Sequence, residues 1–178
     1  IHGKGLNSLK KPKKDIYLGN SGTSARLLIG LLASQNFSSR LIGDESLSKR
    51  PMKRISDPLD TMKARIETYD GKLPIKINGT ELRPANVNIK IPSAQIKSGI
   101  LLACLNTKGT SDIIENNITR DHTETMLQSF GANIVISKSL NKKHISIEGK
   151  KELVSKNIDV PSALSSCAFF IVAALINK

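Results

Sequence analysis

Apolar residues gather in blocks along this chain, and each block opens behind a short polar cluster. Asn20-Ser21-Gly22-Thr23-Ser24 leads into "ARLLIGLLASQ", Pro92-Ser93-Ala94-Gln95 into "IKSGILLACLNTKG", and Pro161-Ser162-Ala163 into "LSSCAFFIVAALINK". Each block predicts a buried helix with a capped start, because Ser and Thr side chains satisfy the free N–H groups there. The starts recur at about 70 residues, longer than common solenoid periods. The segments after the first two blocks also match. "SRLIGDES" and "RPMKRISDPLDTMKARIETY" correspond to "TSDIIENN" and "TRDHTETMLQSFGANIVIS", giving a strand, a loop with an arginine, a second helix and a strand. Alternating apolar residues in "KLPIKING" with "NVNIKIP", and in "NIVISKS" with "HISIEGK", predict a hairpin-like pair closing each unit. The unit is β-α-β-α-β-β, present about twice, with the first helix of a third copy at the end.

Two details refine this pattern. Gly131 stands where a helix end needs left-handed backbone, and its counterpart Lys63 must manage without glycine's freedom. Asp57-Pro58 predicts a helix restart or kink, with Asp capping and Pro in the first turn. The fold class is α+β (α/β). The repeat leaves two packings open: helices inside with sheets outside, or an ordinary α+β sandwich.

Composition narrows the function. The chain has 178 residues, 39% hydrophobic and 3% aromatic, so it is globular with a core of Ile, Leu, Val and Ala. Its formal charge of +12 points to an anionic partner: nucleic acid, a membrane surface or phosphorylated small molecules. A lysine-rich coding bias is the bland alternative, and Lys10-Lys11-Pro12-Lys13-Lys14 reads as a solvated loop. Stacking on nucleic acid needs exposed aromatics, and there are almost none. Cys104 and Cys167 lie in apolar blocks, which predicts buried free thiols in a reducing cytoplasm. His2, His122 and His144 are scattered without metal-ligand spacing. The apolar run at residues 167–176 is too short to cross a bilayer. Both ends look cut: the chain begins at Ile1 and stops at Lys178 directly after an apolar block.

The candidate chemistry sits at equivalent places in the two main units. Each helix start offers free N–H groups at the positive end of a dipole. Ser21, Gly22 and Thr23, and then Ser93 and Ala94, are small enough to let an anion approach, and Gln95 adds an amide. Each following loop carries an arginine, Arg50 or Arg120, suited to bidentate pairing with phosphate or carboxylate. The bland alternative is that the serines are plain caps, that Arg50 pairs with Asp44 or Glu45, and that Arg120 pairs with Asp121 or Glu124. Spacing alone reaches no further than binding of small anions.

Five ordered segments then carry a closer likeness: "LGNSGTSARLLIGLL", "GDESLSKRPMKRISDPL", "PSAQIKSGILLACL", "TRDHTETMLQSFGANI" and "SSCAFFIVAALI". Together they resemble the bacterial 5-enolpyruvylshikimate-3-phosphate synthase (3-phosphoshikimate 1-carboxyvinyltransferase) family over essentially the whole chain. The related UDP-N-acetylglucosamine enolpyruvyl transferases carry a reactive cysteine in the loop that here reads Gly43-Asp44-Glu45-Ser46-Leu47-Ser48-Lys49-Arg50-Pro51, without cysteine. The resemblance implies an inside-out barrel of repeated units, three per domain. Residues 1–158 would form most of one domain, and 159–178 the crossover and first helix of the next. It implies transfer of the enolpyruvyl group of phosphoenolpyruvate to the 5-hydroxyl of shikimate 3-phosphate, with release of phosphate.

By position, the resemblance places Asn20, Gly22, Thr23 and Arg50 at phosphoenolpyruvate. It places Ser93, Gln95, Thr119 and Arg120 at shikimate 3-phosphate, with Gln95 near both substrates. Arg26 is expected behind these contacts. The resemblance implies no metal or organic cofactor, no nucleic-acid or membrane partner, a cytoplasmic location and a monomeric complete enzyme. Thr119 stands where the family has Ser, Lys63 where Gly is common, and Ser162-Ala163 where the pattern is Gly-Asp.

The family's general acid–base groups belong to a later half, so no catalytic residue is expected in these residues. The alternative is a non-catalytic, anion-binding split or degenerate copy that needs a partner chain; nucleic-acid binding on charge alone is a third reading. The 178 residues alone are expected to show no turnover. Release of phosphate that requires both substrates, from the purified chain, would overturn this.

Overall fold

The computed structural model describes residues 2, 5, 8–160 and 172–176. The first unit runs β1 (Ile16–Tyr17), α1 (Gly22–Ala33), β2 (Ser38–Ile42), α2 (Glu45–Ser48), α3 (Lys53–Asp60), β3 (Arg65–Tyr69) and β4 (Lys72–Asn78). The second runs β5 (Asn86–Ile89), α4 (Ala94–Leu105), β6 (Gly109–Glu115), α5 (His122–Ser129), β7 (Asn133–Ser139) and β8 (Lys142–Gly149). Each unit makes one four-stranded sheet, in the orders β1-β2-β4-β3 and β5-β6-β8-β7. In both, the first pair is parallel and the other two are antiparallel. The repeat inferred from the pattern of apolar blocks is therefore a repeat of topology. Ser162, Ala163 and Cys167 of the third block lie outside the described residues.

Alternation decides which face of each sheet is covered. β4 turns Leu73, Ile75 and Ile77 inward, and β8 turns Ile145 and Ile147 inward. α1 packs against β4 and α4 against β8, while the two helices pack most closely on each other. The helices thus lie between the sheets, and the core is one cluster shared by both units.

The α1–α4 contact is unusually close. A Cβ on Gly30 would stand 1.8 Å from the Gly99 carbonyl oxygen, and one on Gly99 would stand 2.6 Å from the Arg26 carbonyl oxygen. Backbone touches backbone here, which only glycine permits.

The structure corrects two expectations. "KLPIKING" does not pair with "NVNIKIP". β4 pairs antiparallel with β3 and β2, and β5 pairs parallel with β6 in the other sheet. The reason is the turn Asp70-Gly71, whose φ values of 48° and 70° fit the primed hairpin turn that Asp-Gly favours. Of the two readings of Asp57-Pro58, a restart or a kink, the restart does not occur. α3 begins at Lys53 with no side-chain cap, and Pro58 lies inside it. Pro58 offers no N–H to the Arg54 carbonyl, a loss placed near the end of an eight-residue helix.

Gly131 does adopt left-handed backbone, with φ 81°, and Lys63 adopts it too, with φ 65°. The Cys104 thiol is buried, and burial pushes its pKa up to about 12.

Two substitutions should act in opposite directions in denaturant unfolding. Gly30→Ala forces a methyl into rigid backbone and should cost about 3 kcal/mol. Lys63→Gly removes left-handed strain from an exposed residue and should stabilise by about 1 kcal/mol.

Candidate anion-binding site

The starts of α1 and α4 are built alike. Ser21 Oγ accepts from the Ser24 amide at 3.1 Å, and Ser93 Oγ accepts from the Ile96 amide at 3.4 Å. The plain-cap reading of these serines is thus correct. Ser21 Oγ spends its own proton on Ser24 Oγ at 2.8 Å, whereas Ser93 Oγ has its proton left to donate among the described residues. Neither helix has an acidic residue in its first turn to offset the positive end of its dipole.

The close helix crossing brings these starts together. Gln95 Nε2 donates to Thr23 Oγ1 at 2.7 Å, and Arg26 Nη1 donates to Gln95 Oε1 at 2.8 Å and to the Gly22 carbonyl at 3.2 Å. Gln95 therefore bridges the two units, with both ends of its amide used. Arg50 Nη2 donates to Asn20 Oδ1 at 2.5 Å. A Cβ at Gly22 would lie 2.9 Å from Arg26 Nη1 and 3.1 Å from Arg50 Nη1, so two guanidiniums meet over this glycine.

Arg26, Arg54, Ser93, Gln95, Thr119 and Arg120 line an open cleft of about 620 Å³. Asn20, Gly22, Thr23 and Arg50 are not in that lining; they join it through Arg26 and Gln95. Arg50 faces a second hollow with Asp44, Glu45 and Lys49.

Charge is the dominant property of this region. Among the described residues, Arg26, Arg50, Arg54 and Arg120 form no salt bridge. The acidic neighbours considered for Arg50 and Arg120 are engaged elsewhere. Asp44 caps α2 through the Leu47 amide, and Glu45 pairs with Lys49. Asp121 pairs with Lys138, and Glu124 with Lys97 and Lys143. Burial, then the charges of Arg50 and Arg54, pull the Arg26 pKa below its usual value. Cations held close together without carboxylates favour an anion between them.

Arg26, expected behind the contacts, braces Gln95 and also lines the cleft. Sequence reasoning missed Arg54, four residues beyond Arg50 on the next helix. It also missed the buried cluster beneath Thr119 and Arg120, although a lysine inside the apolar run "IKSGILLACL" was a signal. Among the described residues, no group of three or more His, Cys, Asp or Glu is placed to hold a metal, and no helix is long and apolar enough to cross a membrane.

The family model for EPSP synthase (3-phosphoshikimate 1-carboxyvinyltransferase) matches residues 1–178. The chain belongs to the EPSP synthase family. It is 52% identical over 177 residues to the 3-phosphoshikimate 1-carboxyvinyltransferase of Vesicomyosocius okutanii, covering 99% of this chain and 40% of that protein. It is 49% identical over 182 residues to the Hydrogenovibrio crunogenus protein of the same name, covering 100% of this chain and 41% of the relative. The solved EPSP synthase from Acinetobacter baumannii superposes with a TM-score of 0.85 at 48% identity, covering 100% of this chain and 40% of that one. The enolpyruvyl transferase fold is thus shared, and the chain spans about 40% of the length of these relatives.

Gly22→Ala should weaken binding of inorganic phosphate by about tenfold, because the new methyl displaces both guanidiniums. Calorimetric titration would measure this, beside a thermal melt that stays near that of the unmutated chain. Unchanged phosphate affinity would remove Gly22 from the site.

Proposed function

We propose that this chain supplies the anion-binding part of an enolpyruvyl transferase site. In the reaction, the 5-hydroxyl oxygen of shikimate 3-phosphate bonds to C2 of phosphoenolpyruvate as C3 gains a proton. The resulting tetrahedral adduct then loses phosphate and a C3 proton to leave the enolpyruvyl ether. Both substrates are polyanions. A site that holds them together must first offset their repulsion, and then keep the reacting atoms close.

The observation that carries this reading is the meeting of four arginines, none in a salt bridge among the described residues, over two adjoined helix starts in a chain of this family. Asn20, Gly22, Thr23 and Arg50 would hold phosphoenolpyruvate, with Arg26 beside them. Ser93, Gln95, Thr119 and Arg120 would hold shikimate 3-phosphate, with Arg54 on the same rim. The bond from Gln95 to Thr23 supports a place for Gln95 between the substrates. The cleft lining offers cations and hydrogen-bond donors rather than a general acid or base. The proposal therefore assigns proton transfer to groups outside that lining. The complete enzyme would act as a monomer.

Two variants separate the two substrate positions. Arg120→Gln should lower affinity for shikimate 3-phosphate by about 10- to 100-fold, the value of a charged hydrogen bond. Arg50→Gln should leave that affinity near normal and instead weaken phosphoenolpyruvate added to the shikimate 3-phosphate complex. Titration calorimetry reads both. Failure of the unmutated chain to bind shikimate 3-phosphate, or equal effects of both variants on both ligands, would overturn the assignment.

A further inference from the structure

We infer that Lys97, Glu115, Glu124 and Lys143 are positioning residues, a buried and charge-balanced quartet that holds the Thr119–Arg120 loop so that Arg120 faces the cleft. The inference rests on the reading of Thr119 and Arg120 as ligand contacts.

The four side chains are 0–1% exposed. Lys97 Nζ lies 2.9 Å from Glu115 Oε2 and 2.7 Å from Glu124 Oε1. Lys143 Nζ lies 3.2 Å from Glu124 Oε1 and 3.7 Å from Glu115 Oε2. Two ammonium groups thus face two carboxylates with no net charge. Burial pulls the Lys143 pKa down, but the hydrogen bond and charge of Glu124 and the charge of Glu115 outweigh it and hold that pKa above its usual value. Glu124 Oε2 is buried with no hydrogen-bond partner among the described residues.

The quartet reaches the loop at three points. Lys97 Nζ donates to the Arg120 carbonyl at 2.9 Å, Lys143 Nζ donates to the Thr119 carbonyl at 3.5 Å, and Thr119 Oγ1 donates to Glu115 Oε1 at 2.5 Å. Lys97 thereby donates one hydrogen bond to Glu115 and one to the loop, and pairs with Glu124 by charge. Residues 117–120 have no regular secondary structure, and no backbone–backbone hydrogen bond outside helices and strands involves them among the described residues. The quartet is what fixes this segment from beneath.

The first unit shows that the fold does not require such a cluster. Lys97 is the fourth residue of α4, and Ala25 is the fourth of α1. Glu115 pairs with Lys143 across β6 and β8; two residues past the Leu41–Ile75 pair of β2 and β4, the same register gives Gly43 and Leu73. Glu124 precedes left-handed Gly131 by seven positions, and Ser56 precedes left-handed Lys63 by seven. One topology is thus built once without ionic groups at these positions and once with four. In the first unit the loop arginine is held by Asn20 instead. The charged version appears where the loop backbone beside a ligand contact has no other anchor.

The test is the charge-balanced double variant Lys143→Met with Glu124→Gln, made in the full chain. The NMR order parameters of the backbone amides of 116–121 should fall below about 0.6, into the flexible range, and stay unchanged in α1. Affinity for shikimate 3-phosphate should fall about tenfold, while phosphoenolpyruvate binding at the Arg50 end is retained. Unchanged order parameters at 116–121 would overturn the inference. So would equal weakening of both ligands with lowered order parameters throughout, the mark of a purely structural role. If the double variant does not fold, Thr119→Val and Thr119→Ser decide. Val, lacking the hydroxyl, should loosen the loop, and Ser should not; identical behaviour would refute the role. If the unmutated chain binds neither ligand, the functional reading fails, and the order parameters of 116–121 still decide whether the quartet holds the loop.

Discussion

The approach of α1 to α4 at Gly30 and Gly99 governs most of what this structure can do. With any Cβ at Gly30 the helices would have to separate, and Thr23 and Arg26 would leave the reach of Gln95. The contact brings two helix starts, each a weak attractor of anions, to one place. It also gives the two sheets a common interior. Fold and candidate site thus share one steric condition: backbone must lie directly on backbone at one crossing.

Around that crossing the two units solve one problem differently. Each presents an arginine from the loop just before the last helix of its unit. The first ties Arg50 to Asn20 at the surface, a polar contact that water can share. The second leaves the Arg120 guanidinium without an ion pair among the described residues and secures the backbone beneath it with buried ions. Exposed pairs contribute little, because solvent screens them and long side chains lose freedom. Buried pairs are costly to desolvate and are retained where geometry is at stake. The high net charge of the chain is therefore unevenly informative. Most lysines face solvent, whereas the arginines around Gly22 and the two lysines beneath Thr119 have defined structural settings.

Much of this was legible in the sequence because it depends on periodicity and spacing. The apolar blocks gave the two units, the helix starts gave Ser21 and Ser93 as caps, and the match of Gly131 with Lys63 located two left-handed positions. What was missed depends on contacts between distant residues or on competing turn chemistry. Asp70-Gly71 carried the stronger hairpin signal, yet alternation drew "KLPIKING" to the wrong partner. Asp57-Pro58 was read as a helix restart or kink, and the restart fails because packing of Ile55 and Leu59 holds one helix across Pro58. Arg26 was expected behind the ligand contacts, but nothing in its own segment reveals that Gln95, 69 positions away, is the residue it braces. Lys97 hinted at buried charge, but its partners come from a strand, a helix and a hairpin that only the fold assembles.

The unequal interiors of the two units have a consequence for how this protein can change over time. At Ala25 or Leu73, a substitution alters volume, and neighbours can adjust one at a time. At Lys97 or Glu124, a single substitution leaves a buried ion without its counterpart, at a cost of about 3–5 kcal/mol, a large part of what holds an ordinary domain together. Variation there has to arrive in compensating pairs or pass through unstable intermediates. Two halves with one topology are therefore free to drift to different degrees, and the second unit is the one locked against piecemeal change.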